Sequence, residues 1–296
     1  MEVLHCPDNI KVHFACAENA KGFERVNAMG VRYSLYTAYP YVSKMVFKGK
    51  KANELPQREL PALIESKQLH VIQDSGLFTL MFGAQKGKKD AQLMNKWYDA
   101  LVEFTLTNAK HATVVEVDCQ KVLGVEAAWD FRQRMKKDLP NNRIINVFHL
   151  EDGMKGLDRM IEFAEYIAVS VPELRFAGKK NYVSSIAKYI KTKKPSIDIH
   201  LLGCTELEFL RNNRFCTSCD SSSFLSACQY GTIGNKHIRT INKEKIQEII
   251  GDKTWNLIRS GLNEEAAKGF ATQVHLLKQD YQKAAGNQDY LPYEKD

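Results

Sequence analysis

Between residues 31 and 230 the chain alternates short strand-like runs with amphipathic helical stretches, a pattern that few folds accommodate. Parallel neighbours must be joined by a crossover, so repeated strand–helix–strand units build a parallel sheet. The strand-like runs are VRYSLYTAYPY (Val31 to Tyr41), LHVIQDSG (Leu69 to Gly76), ATVVEVD (Ala112 to Asp118), RIINVFH (Arg143 to His149), YIAVS (Tyr166 to Ser170), IDIHLLG (Ile197 to Gly203) and FCTSC (Phe215 to Cys219). They recur every ~25 to 45 residues, and so many units in one domain predict a (β/α)8 TIM barrel. Residues 1–30 show only short apolar pieces around Val12 to Ala15, so the eighth strand is expected near His237 to Ile241. The chain of 296 residues reads as one domain, with the barrel core at about 31–242 and a helical addition at about 243–296.

The most secure helix is 90–109, where Leu93, Met94, Trp97, Tyr98, Leu101 and Val102 recur at helical spacing. A second, from about Val122 to Leu139, stops at Pro140-Asn141-Asn142, whereas FTLMFGAQKGKK after Asp74 reads as a glycine-bearing loop. With 44% hydrophobic and 26% charged residues the composition is that of an ordinary soluble protein. No apolar run approaches the ~20 residues of a membrane span and the N-terminus has no signal-peptide layout, so a cytoplasmic location is expected. Seven cysteines without secretory context read as free thiols. The net charge of +7 favours a polyanionic partner.

Several strand-like runs end on residues that can do chemistry. Asp74, Asp118, His149, Ser170, Gly203 and Asp220 would all converge on one face of a barrel, the face on which barrel enzymes build their sites. In FCTSCDSSSFLSACQYG, Asp220 closes a buried strand just before Ser221, Ser222 and Ser223, so it reads equally as a helix cap. Convergent carboxylates beside a histidine suit general base and nucleophilic work. The set Asp74, Asp118, His149 and Asp220 is also the raw material of a divalent-metal hydrolase. Three basic runs follow strands on that same expected face: FKGKK with Lys48, Lys50 and Lys51, KGKK with Lys86, Lys88 and Lys89, and AGKK with Lys179 and Lys180. Each alone reads as solvated surface; together they suggest a clamp on a phosphate backbone.

DSGLF (Asp74 to Phe78), Asp118-Cys119, VFH before Leu150, HLLG before Cys204 and CDSSS around Asp220 resemble, in order, the active-site segments of tRNA-guanine transglycosylases. The likeness is closer to their DNA-acting relatives, the deazaguanine DNA transglycosylases of phage and bacterial DNA-modification systems, and runs from about residue 70 to 231. It implies base exchange in a nucleic acid without a cofactor. Asp220 matches the nucleophile that forms a covalent glycosyl-enzyme, and Asp74 the general base for the incoming 7-deazapurine. Asp118 matches the residue that reads the edge of the base, Phe78 the aromatic that stacks on it, and Ser75, His149, Ser170 and Gly203 complete the expected base-binding set.

The likeness has departures. Leu77 and Thr79 replace family residues, His149 stands where a base-reading glutamine is expected, and Ser170-Val171-Pro172 replaces a glycine-rich loop. Only Cys228 follows Asp220, so the family's zinc cluster is missing and no metal site is expected. Cys216 and Cys219 read as buried core thiols, because residues three apart on a strand face opposite ways. The expected partners are DNA, or tRNA in a sister reading, and a free 7-deazapurine, with no membrane; a homodimer or accessory protein stays open. A metal-dependent barrel hydrolase and a non-catalytic nucleic-acid-binding subunit are the readings from other classes.

Overall fold

Short runs rich in Val, Ile, Tyr and Phe form eight parallel strands that close into a barrel in chain order. They are β1 (Lys11–Ala15), β2 (Tyr33–Thr37), β3 (His70–Asp74), β4 (Thr113–Val115), β5 (Ile144–Phe148), β6 (Tyr166–Ser170), β7 (Asp198–Leu202) and β8 (Ser218–Ser221). The computed structural model describes residues 9–15, 19–82, 89–204, 206–286 and 293. With helices between the strands, the chain is a (β/α)8 barrel as its alternation predicts.

The closing strand is not where the sequence pattern puts it. Residues 236–240 form one arm of a small antiparallel hairpin, Lys236–His237 against Thr232–Ile233, and a following 3-10 turn. The ring is closed instead by KVHFA at Lys11–Ala15, whose Val12 pairs with Cys219 and whose Phe14 pairs with Ser34. That strand is easily missed because its inward positions, Lys11 and His13, are polar although both are buried. The helix Glu264–Ala285 then packs over this seam, with Tyr281 edge-on to Phe14 at 5.9 Å and Lys278 Nζ donating to Met29 O at 2.5 Å. No helix among the described residues is long and apolar enough to cross a membrane.

Two segments differ from the sequence reading, which carries the first strand-like run through Tyr41 and makes the stretch after Asp74 a loop: both are helical. Thr37 ends β2, and Tyr39–Lys48 is a helix with Pro40 in its first turn, where a missing N–H costs nothing. Leu77–Phe82 is a short helix directly after β3. The helix Ala91–Asn108 forms as predicted, its first turn capped by Asp90, whose carboxylate accepts from Leu93 N at 3.1 Å.

Strand alternation decides what points inward. His13 on β1 reaches His70 on β3, Nε2 to Nδ1 at 2.7 Å, and Tyr166 on β6 reaches Ser218 on β8 at 2.5 Å. Neither pair of strands is adjacent in the sheet, so these side chains meet across the interior. On β3 the inward column is therefore His70, Ile72 and Asp74, which delivers Asp74 to the top of the barrel. The lower interior is unusually polar: burial pushes His13 down to about 3, with His200 adding to the effect, and His70 is also held well below the ordinary histidine range, so both rings are uncharged near neutrality.

Outside the sheet a buried ionic cluster braces β4 and β5. Arg132 Nε donates to both oxygens of Glu116 at 3.0 Å, its Nη2 donates to Val147 O at 3.1 Å, and its Nη1 lies 3.5 Å from Asp152. Asp152 in turn accepts from His149 N at 2.9 Å. Removing one partner strands buried charges, so Arg132→Leu is expected to lower stability by about 3 kcal/mol, read from urea unfolding. A variant within experimental error of the parent would remove this cluster as the brace of the site.

Candidate active site

Six sequence-predicted positions arrive at the C-terminal end of the barrel. Asp74 and Ser170 end their strands, His149 and Gly203 follow theirs directly, Asp118 lies just beyond β4, and Asp220 sits within β8. A cavity of about 520 Å³ opens there, within the range of small-molecule sites. Its wall includes Asp74, Ser75, Phe78, Asp118, His149 and Ser170 from the predicted set. Most of the remaining wall is apolar, with Leu77, Met81, Val115, Val147 and Leu202.

Asp74 is the buried acid of this cavity. Its Oδ2 accepts from Gly76 N at 3.0 Å, and Gly76 takes a positive φ of 75° at a spot where a Cβ would lie 2.6 Å from Tyr39 N. Glycine is therefore required at that turn. Burial first, and then the nearby charges of Asp220 and Asp118, push the Asp74 carboxyl up to about 6 against the pull of its Gly76 and Thr37 hydrogen bonds.

Asp220 stands beside the cavity, next to its wall residue Leu202. Gly203 N donates to its Oδ1 at 2.7 Å, and His200 Nε2 lies 3.1 Å from the same oxygen. The N–H of Gly203 is thus engaged by Asp220. The helix-cap reading of Asp220 also falls. The turn that follows is instead organised by Ser221, whose Oγ accepts from Ser223 N at 2.9 Å.

His149 is held between two carboxylates. Its Nδ1 lies 2.6 Å from Glu173 Oε2, and its Nε2 lies 2.8 Å from Asp118 Oδ2, at an angle too oblique for a good hydrogen bond. Burial alone would depress this imidazole, yet Asp118 and Glu173 outweigh it and lift it to about 10. The ring is consequently a cation at neutral pH. Asp118 Oδ1 is buried and has no hydrogen-bond partner among the described residues. Glu173→Gln should bring the His149 titration down toward neutrality, whereas in the parent protein NMR should find the ring charged throughout the neutral range. The stabilisation from this charge is present below the ordinary histidine value and disappears as pH rises through about 10.

Glu173 and Lys121 were not legible as site residues. Both line the cavity, with Lys121 Nζ 3.6 Å from Glu173 Oε1. Glu173 belongs to the short helix Val171–Phe176, whose first turn is capped by Ser170 Oγ accepting from Glu173 N at 3.4 Å. Pro172 one residue earlier marks a helix start, and an acidic residue in a first turn is the signal that was available. Phe78 and Phe176, 73% and 91% exposed, stand at the cavity mouth, and Phe176 had no signal in the sequence.

The basic rim is smaller than expected. The helix Tyr39–Lys48 starts at the top of β2 and runs back down the outside, so Lys48, Lys50 and Lys51 arrive at the opposite end of the barrel. There Ala52 N donates to Glu103 Oε1 at 3.1 Å and Asn108 Nδ2 to Ala52 O at 3.4 Å, beside the last turns of Ala91–Asn108. Lys86 and Lys88 lie outside the described residues. Lys89 stays near the rim, donating to Met81 O, and exposed Lys179 and half-buried Lys180 follow Val171–Phe176, with Lys180 Nζ 2.6 Å from Glu206.

The proposed metal ligands do not gather as a set. Among the described residues the group able to surround a cation is His149, Glu151 and Glu173, whose ligand atoms lie within 4.8 Å of one another, and no three of Asp74, Asp118, His149 and Asp220 do so. Cys216 and Cys219 are buried free thiols.

Fold and site together define a (β/α)8 barrel with a carboxylate-lined cavity at the C-terminal ends of its strands. The sequence matches no family model, and no curated protein matches it.

Proposed function

We propose that the protein is a base-exchange transglycosylase, replacing guanine in DNA by a 7-deazaguanine. The observation that carries this reading is that Asp74 on the cavity wall and Asp220 beside the cavity stand at the same end of the barrel, close enough for the charge of Asp220 to raise the proton affinity of Asp74. A carboxyl group poised at about 6 can hold and release a proton in turn, which an exchange of two bases requires. The orphaned Oδ1 of Asp118 supports a ligand with N–H donors, such as the guanine edge.

In the first half, an Asp220 oxygen attacks C1′ of the target guanosine. The C1′–N9 bond breaks with its electron pair on the guanine, which takes a proton from protonated Asp74. The sugar is then held as a glycosyl ester. In the second half, Asp74 accepts the N9 proton of the incoming 7-deazapurine, N9 attacks C1′, and the ester pair returns to Asp220. A base within a duplex must first leave its stack to reach this cavity, and Phe78 at the mouth offers a face for it.

The test is incubation with a 7-deazaguanine base and either duplex DNA or tRNA, followed by nucleoside digestion and mass spectrometry. A modified deoxynucleoside is expected. Label in tRNA alone would move the acceptor to tRNA with the chemistry intact, and label in neither would overturn the reading.

A further inference from the structure

We propose that His200 is a positioning residue for Asp220, fixing Oδ1 so that Oδ2 meets the sugar and making the carboxylate a good leaving group when the glycosyl ester is resolved. This rests on the glycosyl-transfer reading of Asp220. His200 is wholly buried on β7 and lies 3.1 Å through Nε2 from Asp220 Oδ1. Its Nδ1 is 2.6 Å from Ser218 Oγ, and Ser218 Oγ is 2.5 Å from Tyr166 Oη. A carboxylate oxygen can only accept, so Nε2 carries the hydrogen. With Nδ1 as the acceptor of the ring, Ser218 donates to it, and Tyr166 donates to Ser218. The chain Tyr166, Ser218, His200, Asp220 is satisfied in one sense, with every dipole directed toward Oδ1.

Register makes the arrangement stiff. His200 and Ser218 are partners across the β7–β8 ladder, and Gly203 N donates to the same Oδ1 from the end of β7. Two donors on one oxygen fix the plane of the carboxyl group, and Oδ2 has no hydrogen bond or ion pair among the described residues. The same donors favour the free carboxylate over its ester. When N9 of the incoming base attacks C1′, the C1′–O bond breaks, its electron pair returns to Asp220, and the N9 proton passes to Asp74. The negative charge that reappears on the carboxylate is met by donors already in place.

The experiment compares the parent with His200→Leu, His200→Gln and Ser218→Ala. Exchange of labelled guanine into the nucleic acid gives turnover, and a denaturing gel gives the covalent adduct. Removing a hydrogen bond to a charged group should slow adduct resolution about 10- to 100-fold. The His200→Leu variant should therefore accumulate adduct with KM for the free base nearly unchanged. The Gln amide places a donor near Nε2 and should recover most of the rate. Ser218→Ala should shift both readouts the same way by less, and it serves as the test if His200→Leu does not fold. Parent exchange with unchanged adduct level and turnover in the folded variants would overturn the role of His200 alone. A parent that exchanges no guanine in DNA or tRNA would overturn the glycosyl-transfer reading and this one with it.

Discussion

Asp220→Asn is expected to fold like the parent, because the amide oxygen still accepts from Gly203 N and His200, and to form no covalent adduct. Loss of a nucleophile that acts with its partners as a unit should reduce exchange at least about a thousandfold. Asp220→Ala is a weaker probe, since it leaves the buried His200 donor without its carboxylate acceptor, at about 1–3 kcal/mol. Full exchange by a folded Asp220→Asn protein, measured with labelled guanine, would remove Asp220 from the chemistry and leave it a structural anchor for Gly203.

Asp74→Asn should show opposite effects on stability and activity. A carboxyl held at about 6 in the folded protein binds its proton more tightly than in the unfolded chain, where the ordinary value is 3.8. Its contribution to stability is present below the unfolded value and is lost as pH rises through about 6, so at pH 7 the ionised group is a burden. The neutral amide lifts that burden, and Asp74→Asn should gain roughly 2–3 kcal/mol near pH 7 while losing base exchange. Urea unfolding at pH 7 and pH 4 checks the sign: the gain should shrink at the lower pH. In single-turnover work on the parent, adduct formation should fade and adduct resolution should strengthen as pH passes about 6. A destabilised Asp74→Asn, or a pH-independent adduct balance, would contradict the assignment of the proton to Asp74.

These outcomes depend on residues that differ greatly in how visible they are to sequence reasoning. Asp74, Asp118, His149 and Asp220 close strand-like runs, and the closure of the barrel sends every strand end to one face. The missed strand Lys11–Ala15 illustrates the limit: its inward positions are Lys11 and His13, so its hydrophobic signal is carried by Val12 and Phe14 alone. Apolar periodicity finds strands whose inward and outward faces are both greasy, and it overlooks one that turns a histidine into the barrel to meet His70.

The basic run FKGKK lies away from the rim for a geometric reason. FKGKK does follow the first strand-like run, but the ten-residue helix Tyr39–Lys48, which takes in its Phe47 and Lys48, carries those lysines to the far end of the barrel. Glu173 and Lys121 were hidden for the opposite reason, since each is an ordinary charged residue in a short helix and becomes part of a site only because neighbouring strands bring that helix to the cavity. His149 lies on the cavity wall, and its charge was not legible: its two carboxylate neighbours come from segments 31 and 24 residues away in opposite directions, and they turn it into a fixed cation.

The order of seven of the eight strands, and with it the class of fold, was written in local periodicity, because burial on both faces of a parallel sheet fills most of its strands with apolar residues. The protonation of Asp74, the charge on His149 and the donors on Asp220 were not written there. Each arises from burial and from partners distant along the chain, and electrostatic energy depends on separation in space, which folding alone supplies.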